Sequence, residues 1–191
     1  MKELFKKWFG KKENKPNNSI IEKNQNQEVS NFQIEELIYN GKFDELKKIA
    51  TEIGLEKIRC NSNPEELAAI HWAASSGNIE MVKYFLSDEV NENPNLARNN
   101  NFTPLHSASM NGFTEIVMLL IEKGANVNIQ TDPQKYAPIH SASFSGHLET
   151  IKVLVKNGAD INLRNYRNEL PIDTARRQNQ LETIKYFEGL K

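Results

Sequence analysis

Cysteine is almost missing from this chain. Cys60 is the only one in 191 residues, so no internal disulfide can form, which suits a reducing compartment. Long apolar runs are missing as well. No stretch approaches the ~20 apolar residues that a membrane-spanning helix needs. The N-terminus starts basic but develops no apolar run of ~7–15 residues such as a secretory signal requires. These features predict a cytoplasmic protein. An excess of one charge is also lacking: 24 Lys and Arg against 25 Asp and Glu leave a net charge of −1. No global field therefore draws the chain to nucleic acid, and the basic residues of its main part form no run. Catalytic constellations are missing too. Cys60 has neither a local base nor a charged cluster that would lower its pKa. No phosphate-cradling glycine loop and no paired carboxylates stand out. The sequence predicts no enzyme, no cofactor and no metal site.

What is present is a repeat. Hydrophobic residues make up 38% of the chain and charged ones 26%, enough apolar content for one soluble domain and a tail. Gly77, Gly112 and Gly146 are spaced 35 and 34 apart, and each follows a histidine (His71, His106, His140) by six residues. Pro104, Pro138 and Pro171 continue the period. Gly124-Ala125-Asn126-Val127-Asn128 and Gly158-Ala159-Asp160-Ile161-Asn162 form a second matching phrase. Weaker copies flank these anchors. Aliphatics recur at Ile34, Ile70, Leu105, Ile139 and Ile172, and three residues later come Leu37, Ala73, Ala108, Ala142 and Ala175. Five residues after the glycine position stand Leu46, Val82, Val117, Ile151 and Ile184, followed by Ile49, Phe85, Leu120, Leu154 and Phe187. Five copies share one skeleton.

The physics of that skeleton is two short amphipathic helices per copy, because apolar residues three and four apart make one buried stripe. The small Ala lets a neighbouring helix approach closely. The glycine permits the left-handed backbone that ends a helix. Asp44, Glu80, Glu115, Glu149 and Glu182 fall in the first turn of the second helix, where the dipole favours negative charge. Proline sits at the first turn of the first helix, where its missing donor is tolerated.

Thr103-Pro104-Leu105-His106-Ser107-Ala108, with Gly112 and the phrase at 124–128, resembles a nearly complete ankyrin repeat. Ala137-Pro138-Ile139-His140-Ser141-Ala142, with Gly146-His147 and the phrase at 158–162, resembles a second. The resemblance covers about residues 33–191. It implies an all-α ankyrin-type solenoid: three inner repeats at 66–98, 102–130 and 136–164, capped by degenerate copies at 33–60 and 169–191. The copy at 66–98 departs from the pattern with Ala68-Ala69-Ile70-His71 and a longer connection through Asn91–Asn100. The last copy has Asp173 for histidine and Asn179 for glycine. Degenerate ends are expected, since a terminal repeat faces water on one side. The resemblance further implies that the repeated histidines are structural, each bonding its turn to the adjacent copy rather than holding a metal.

Residues 1–12 carry five lysines beside Leu4, Phe5, Trp8 and Phe9, spaced i, i+1, i+4 and i+5. On a helix this gives an aromatic stripe with a cationic face, the pattern of a peripheral membrane contact or a partner-docking peptide. Residues 13–31, rich in Asn, Gln, Lys and Glu, bury too little to fold and read as a flexible linker.

Function is expected where the skeleton leaves residue choice, on the concave surface of loop tips and first helices. There the sequence offers Trp72, Met110, Phe113, Phe144 and Arg177 on the first-helix side, and Phe102, Tyr136, Arg164, Tyr166 and Arg167 at the loop tips. Trp72, Met110 and Phe144 are expected to align into an apolar strip. Aromatics with arginine nearby are the usual make-up of an interface hot spot. The sequence therefore predicts a monomeric, non-catalytic module that binds a protein partner. A peripheral membrane scaffold anchored by residues 1–12 is the alternative.

Overall fold

The computed structural model of the chain describes residue 37 and residues 40–53, 69–98 and 100–190. The basic segment at 1–12, the linker at 13–31 and Cys60 lie outside the described residues, and with them Leu4, Phe5, Trp8 and Phe9.

Among the described residues there are nine α-helices and no strand. They are α1 (Phe43–Ile53), α2 (Ala69–Ser76), α3 (Ile79–Phe85), α4 (Pro104–Asn111), α5 (Thr114–Glu122), α6 (Pro138–Ser145), α7 (Leu148–Lys156), α8 (Pro171–Arg177) and α9 (Leu181–Glu188). The helices alternate between two stacked rows. First helices α2, α4, α6 and α8 pack side by side, and second helices α3, α5, α7 and α9 do the same behind them. This is an all-α solenoid of the kind the repeat pattern predicted.

The register follows from a few residues per copy. Pro104, Pro138 and Pro171 each open a first helix after an extended residue (Thr103, Ala137 or Leu170). Gly112 and Gly146 close α4 and α6 at φ of 73° and 76°, backbone that costs an L-residue with a Cβ. In the last copy Asn179 takes the left-handed conformation at φ 56°, which an Asn tolerates better than most residues. The turn geometry is therefore preserved where the glycine is lost.

The core is the predicted stripe. Ala73, Ala108, Ala142 and Ala175 are fully buried, where the first helices approach one another. Leu46, Val82, Val117, Leu120, Ile151 and Leu154 are fully buried on the second helices, and Phe85 and Phe187 nearly so. Ile184 is only half-buried, at the outer end of the stack. Three second helices carry an i,i+3 ion pair: Glu80–Lys83, Glu149–Lys152 and Glu182–Lys185. All are solvent-exposed and contribute little to stability.

Candidate protein-binding surface

The three repeated histidines are structural. Their Nε2 atoms lie 3.0, 3.0 and 3.4 Å from the carbonyls of Phe102, Tyr136 and Glu169 respectively, each one copy further on. A carbonyl only accepts, so Nε2 carries the proton and Nδ1 is left as an acceptor. That Nδ1 receives the backbone N–H of the residue before the helix, from Thr103 to His106 and from Ala137 to His140, both at 3.2 Å. The imidazoles of His106 and His140 thus cap their own helices and pin the next loop, whereas His71 pins its loop through Nε2 while its buried Nδ1 has no partner among the described residues. Burial pushes all three imidazoles down to about 4, because a buried cation is poorly solvated. No group of His, Cys, Asp and Glu that could hold a metal occurs among the described residues. Asp173 replaces the histidine in the copy at 169–191 and performs the capping half of its task. Its Oδ2 accepts the Leu170 N–H at 3.1 Å.

The residue following each glycine position packs on the glycine of the preceding copy. A Cβ on Gly77 would lie 2.8 Å from the Phe113 ring, and one on Gly112 would lie 2.5 Å from His147 Nδ1. Phe113 is therefore half-buried, wedged between copies and packed on the core. Asn78 is the counterpart on Gly41, and its short side chain leaves a shallow open depression lined by Asn40, Gly41, Ser76 and Gly77.

Trp72 does not join the expected strip. It stands five residues before Gly77, whereas Met110 and Phe144 stand two before Gly112 and Gly146. A shift of three residues moves it by almost one helical turn, so the residue level with Met110 and Phe144 is Ser75. Trp72 is half-buried against the core, and its Nε1 is buried with no hydrogen-bond partner among the described residues. The column that does form runs Ser75, Met110, Phe144, Arg177. Phe102 also differs from the expectation of an accessible loop-tip residue. It is buried, with its ring stacked 5.3 Å from His106.

The remaining residues converge at one end of the surface. The Tyr136 ring packs edge-on against His140 and lies 6.4 Å from the Tyr166 ring. Arg177 reaches from the end of α8 to donate to the Tyr136 hydroxyl at 3.2 Å, and it pairs with Glu169 at 3.3 Å. Its guanidinium also lies 5.9 Å from the Phe144 ring centre. Arg167 lies over Tyr166 at 5.2 Å and donates Nε–H to the Tyr166 hydroxyl at 2.6 Å. Arg164 donates to the Asn168 carbonyl. The structure thus brings Tyr136, Phe144, Tyr166, Arg167 and Arg177 into one aromatic–arginine cluster on adjacent copies, while Met110 stands one copy away.

A second set of inter-copy contacts uses asparagine. Asn95 accepts from Asn126 N at 2.6 Å and donates to the Gly124 carbonyl at 2.9 Å. Asn128 repeats both contacts with Asp160 N and the Gly158 carbonyl, at 2.8 and 2.9 Å. The signal for this ladder was present as Asn93-Pro94-Asn95, Asn126-Val127-Asn128 and Asp160-Ile161-Asn162, spaced 33 and 34 apart. The first of these supplies the second phrase of the copy at 66–98, hidden there by the absence of Gly-Ala.

Paired helices stacked in one register, pinned through buried histidines and glycine seats, define a repeat scaffold that displays variable side chains on a constant frame. The family model of ankyrin repeats (3 copies) matches residues 33–131 and 70–165, and the chain belongs to that family. Among curated proteins, the chain is 36% identical over 91 residues to the 26S proteasome non-ATPase regulatory subunit 10 of Dictyostelium discoideum, covering 48% of this chain and 38% of that protein. It is 41% identical over 64 residues to the E3 ubiquitin-protein ligase KEG of Arabidopsis thaliana, covering 34% of this chain and 4% of that protein. It is also 35% identical over 72 residues to the palmitoyltransferase AKR1 of Lachancea kluyveri, covering 38% of this chain and 10% of that protein. The chain spans well under half the length of these relatives. Proteins of such different names share these segments, so what is similar is the repeat scaffold and not one activity.

Proposed function

We propose that this chain is a non-catalytic adaptor or inhibitor that recognises a protein partner on the concave face of its repeats. The observation that carries this reading is the cluster of Tyr136, Phe144, Tyr166, Arg167 and Arg177. Aromatic and arginine side chains held by one another lose little freedom on binding, and this composition typifies interface hot spots. Met110 extends the apolar part by one copy, and Arg164 adds charge at the rim. Trp72, Phe102 and Phe113 support the surface from beneath. The name of the Dictyostelium relative, a regulatory and non-ATPase subunit, fits a domain that works by binding. The reading places the chain in the cytoplasm as a monomer, consistent with its lone Cys60.

The test is affinity capture from native lysate by the full chain and by a Tyr136→Ala, Tyr166→Ala, Arg177→Ala triple variant, with partners identified by mass spectrometry. The expected result is a protein retained by the first and lost by the second. If the variant melts cooperatively yet retains the same protein equally well, the concave face is not the binding surface. The aromatic and lysine pattern of residues 1–12 favours a second reading, a peripheral membrane scaffold. Sedimentation with phosphatidylcholine–phosphatidylserine vesicles, with and without those residues, decides it, and lipid-independent behaviour removes that reading.

A further inference from the structure

We infer that the segment docking on this surface is acidic, with an aromatic or aliphatic anchor packed on the exposed side of Tyr166 and its carboxylates on Arg164 and Arg167. This rests on the binding reading above and specifies its chemistry. The edge formed by residues 130–136, residues 164–169 and Arg177 carries four cations (Lys135, Arg164, Arg167, Arg177) against two carboxylates (Asp132, Glu169). Both carboxylates are engaged from within. Glu169 pairs with Arg177 and accepts from Asn165, and Asp132 accepts from Asn101. The cations of the loop tips are not neutralised in return, since no carboxylate lies in salt-bridge range of Lys135, Arg164 or Arg167 among the described residues. Their positive field is left for a partner.

The geometry of Arg167 strengthens the case. Only its Nε is used, on the Tyr166 hydroxyl, and both terminal amino groups are without an acceptor among the described residues. The Nε–H bond to the Tyr166 hydroxyl, with the guanidinium carbon 5.2 Å from the ring centre, holds the group beside the ring. A planar fork fixed in advance suits bidentate pairing with a carboxylate and loses little entropy on binding. Tyr166 itself is 54% exposed, the most exposed aromatic among the described residues. Beside the unused guanidinium it offers apolar area with no intramolecular cover on its outer side. An acidic chain with one apolar anchor matches both features. A nucleic acid would also meet cations and rings, but Lys135, Arg164 and Arg167 are too few for the accumulated positive charge on which binding of a phosphate backbone depends.

The experiment uses the full chain and a phage-displayed library of random peptides of about twelve residues, a length that spans two or three loop tips. Selected peptides are expected to show about a two-fold excess of Asp and Glu over the naive library, together with Leu, Phe, Tyr or Trp. Fluorescence anisotropy on a selected peptide is expected to weaken by about ten-fold or more in Arg167→Glu and to fall with added salt. Lys156→Glu, at the end of α7, is expected to leave it unchanged. Equal weakening by Lys156→Glu would mean unspecific charge attraction and overturn the inference. Selected peptides with no acidic excess that nevertheless lose binding in Tyr136→Ala, Tyr166→Ala would overturn the acidic chemistry and leave the surface reading standing. Peptides indifferent to every one of these loop-tip variants would sink both. An oligothymidylate bound more tightly than the selected peptides would also overturn it.

Discussion

The imidazole of His147 rests on Gly112, with its Nε2 donating to the Met110 carbonyl at 3.1 Å. The ring occupies the volume that any Cβ at position 112 would need. Gly112 also holds φ 73°, and the two constraints add. Gly112→Ala is therefore expected to destabilise the domain by about 1–2 kcal/mol from backbone conformation alone, with displacement of His147 on top. His147→Ala is expected to cost about 1 kcal/mol through the lost hydrogen bond and packing. The double variant should cost less than the sum of the single ones, because the clash disappears with the ring. Urea melts of the four proteins measure this coupling, and simple additivity would show that the ring and the glycine do not interact.

The buried histidines make stability depend on pH. In the folded chain His71, His106 and His140 are held down to about 4, whereas in an unfolded chain each titrates near ~6.5. Between those values the unfolded state binds more protons, so stability rises with pH and is fully present only above about 6.5. On acidification each site forfeits up to about 3 kcal/mol by pH ~4. Three such sites rival the ~5–15 kcal/mol that holds a typical domain together. Protonation at Nδ1 would also turn that atom from acceptor to donor against the N–H of Thr103 or Ala137. Acid unfolding is expected as pH falls from ~6.5 to ~4. His106→Asn should lower stability at neutral pH while flattening the slope by about a third. A flat denaturation free energy from pH ~7 to ~5 would contradict this.

The frame was legible in the sequence and much of the surface was not, for a physical reason. Ala108, Leu105, Gly112 and Pro104 each have one permitted environment, so a fixed spacing of such residues dictates two helices and a turn. Surface residues carry no such constraint. Trp72 looked like Met110 and Phe144 because all three are large and apolar near a glycine, but an offset of three residues places it elsewhere on the helix. Phe102 looked like a loop-tip aromatic, yet it stacks on His106, a contact between two residues whose rings meet only once the helix start is built. The Arg177–Tyr136 contact spans 41 positions and depends on how far a long side chain reaches across neighbouring copies. No period encodes that. The Asn95 and Asn128 ladder was periodic and could have been read from its spacing.

Asp173 caps its own helix as His106 and His140 do theirs, but it donates no hydrogen bond to another loop. A histidine there would present an Nε2–H toward a next loop, whereas a carboxylate supplies only the acceptor that Leu170 N–H requires. Asp173→Ala is expected to cost about 1 kcal/mol, the usual worth of a helix cap. Asp173→Asn should retain most of the stability, since the side-chain oxygen remains. The exposed pair with Arg176 adds little. If Asn proves as costly as Ala in thermal melts, the ion pair and not the cap is what position 173 supplies.

Asn128 joins two copies through both halves of its amide, Oδ1 receiving Asp160 N–H and Nδ2 reaching the Gly158 carbonyl. Asn128→Ala removes both bonds at an exposed site where water replaces part of the loss, so about 1 kcal/mol is expected. Asn128→Asp keeps the acceptor but deletes the donor and sets a negative charge near the carbonyl end of α7, where the helix dipole opposes it. It is expected to destabilise at least as much as the alanine. Asn162 occupies the same place one copy later, but its side chain has no partner among the described residues. Asn162→Ala should therefore stay within about 0.5 kcal/mol of the parent. Chemical denaturation of the three variants side by side provides the test. Equal losses at 128 and 162 would mean that the Asn-x-Asn phrase acts through its own turn, and that the bridge to the neighbouring copy contributes nothing.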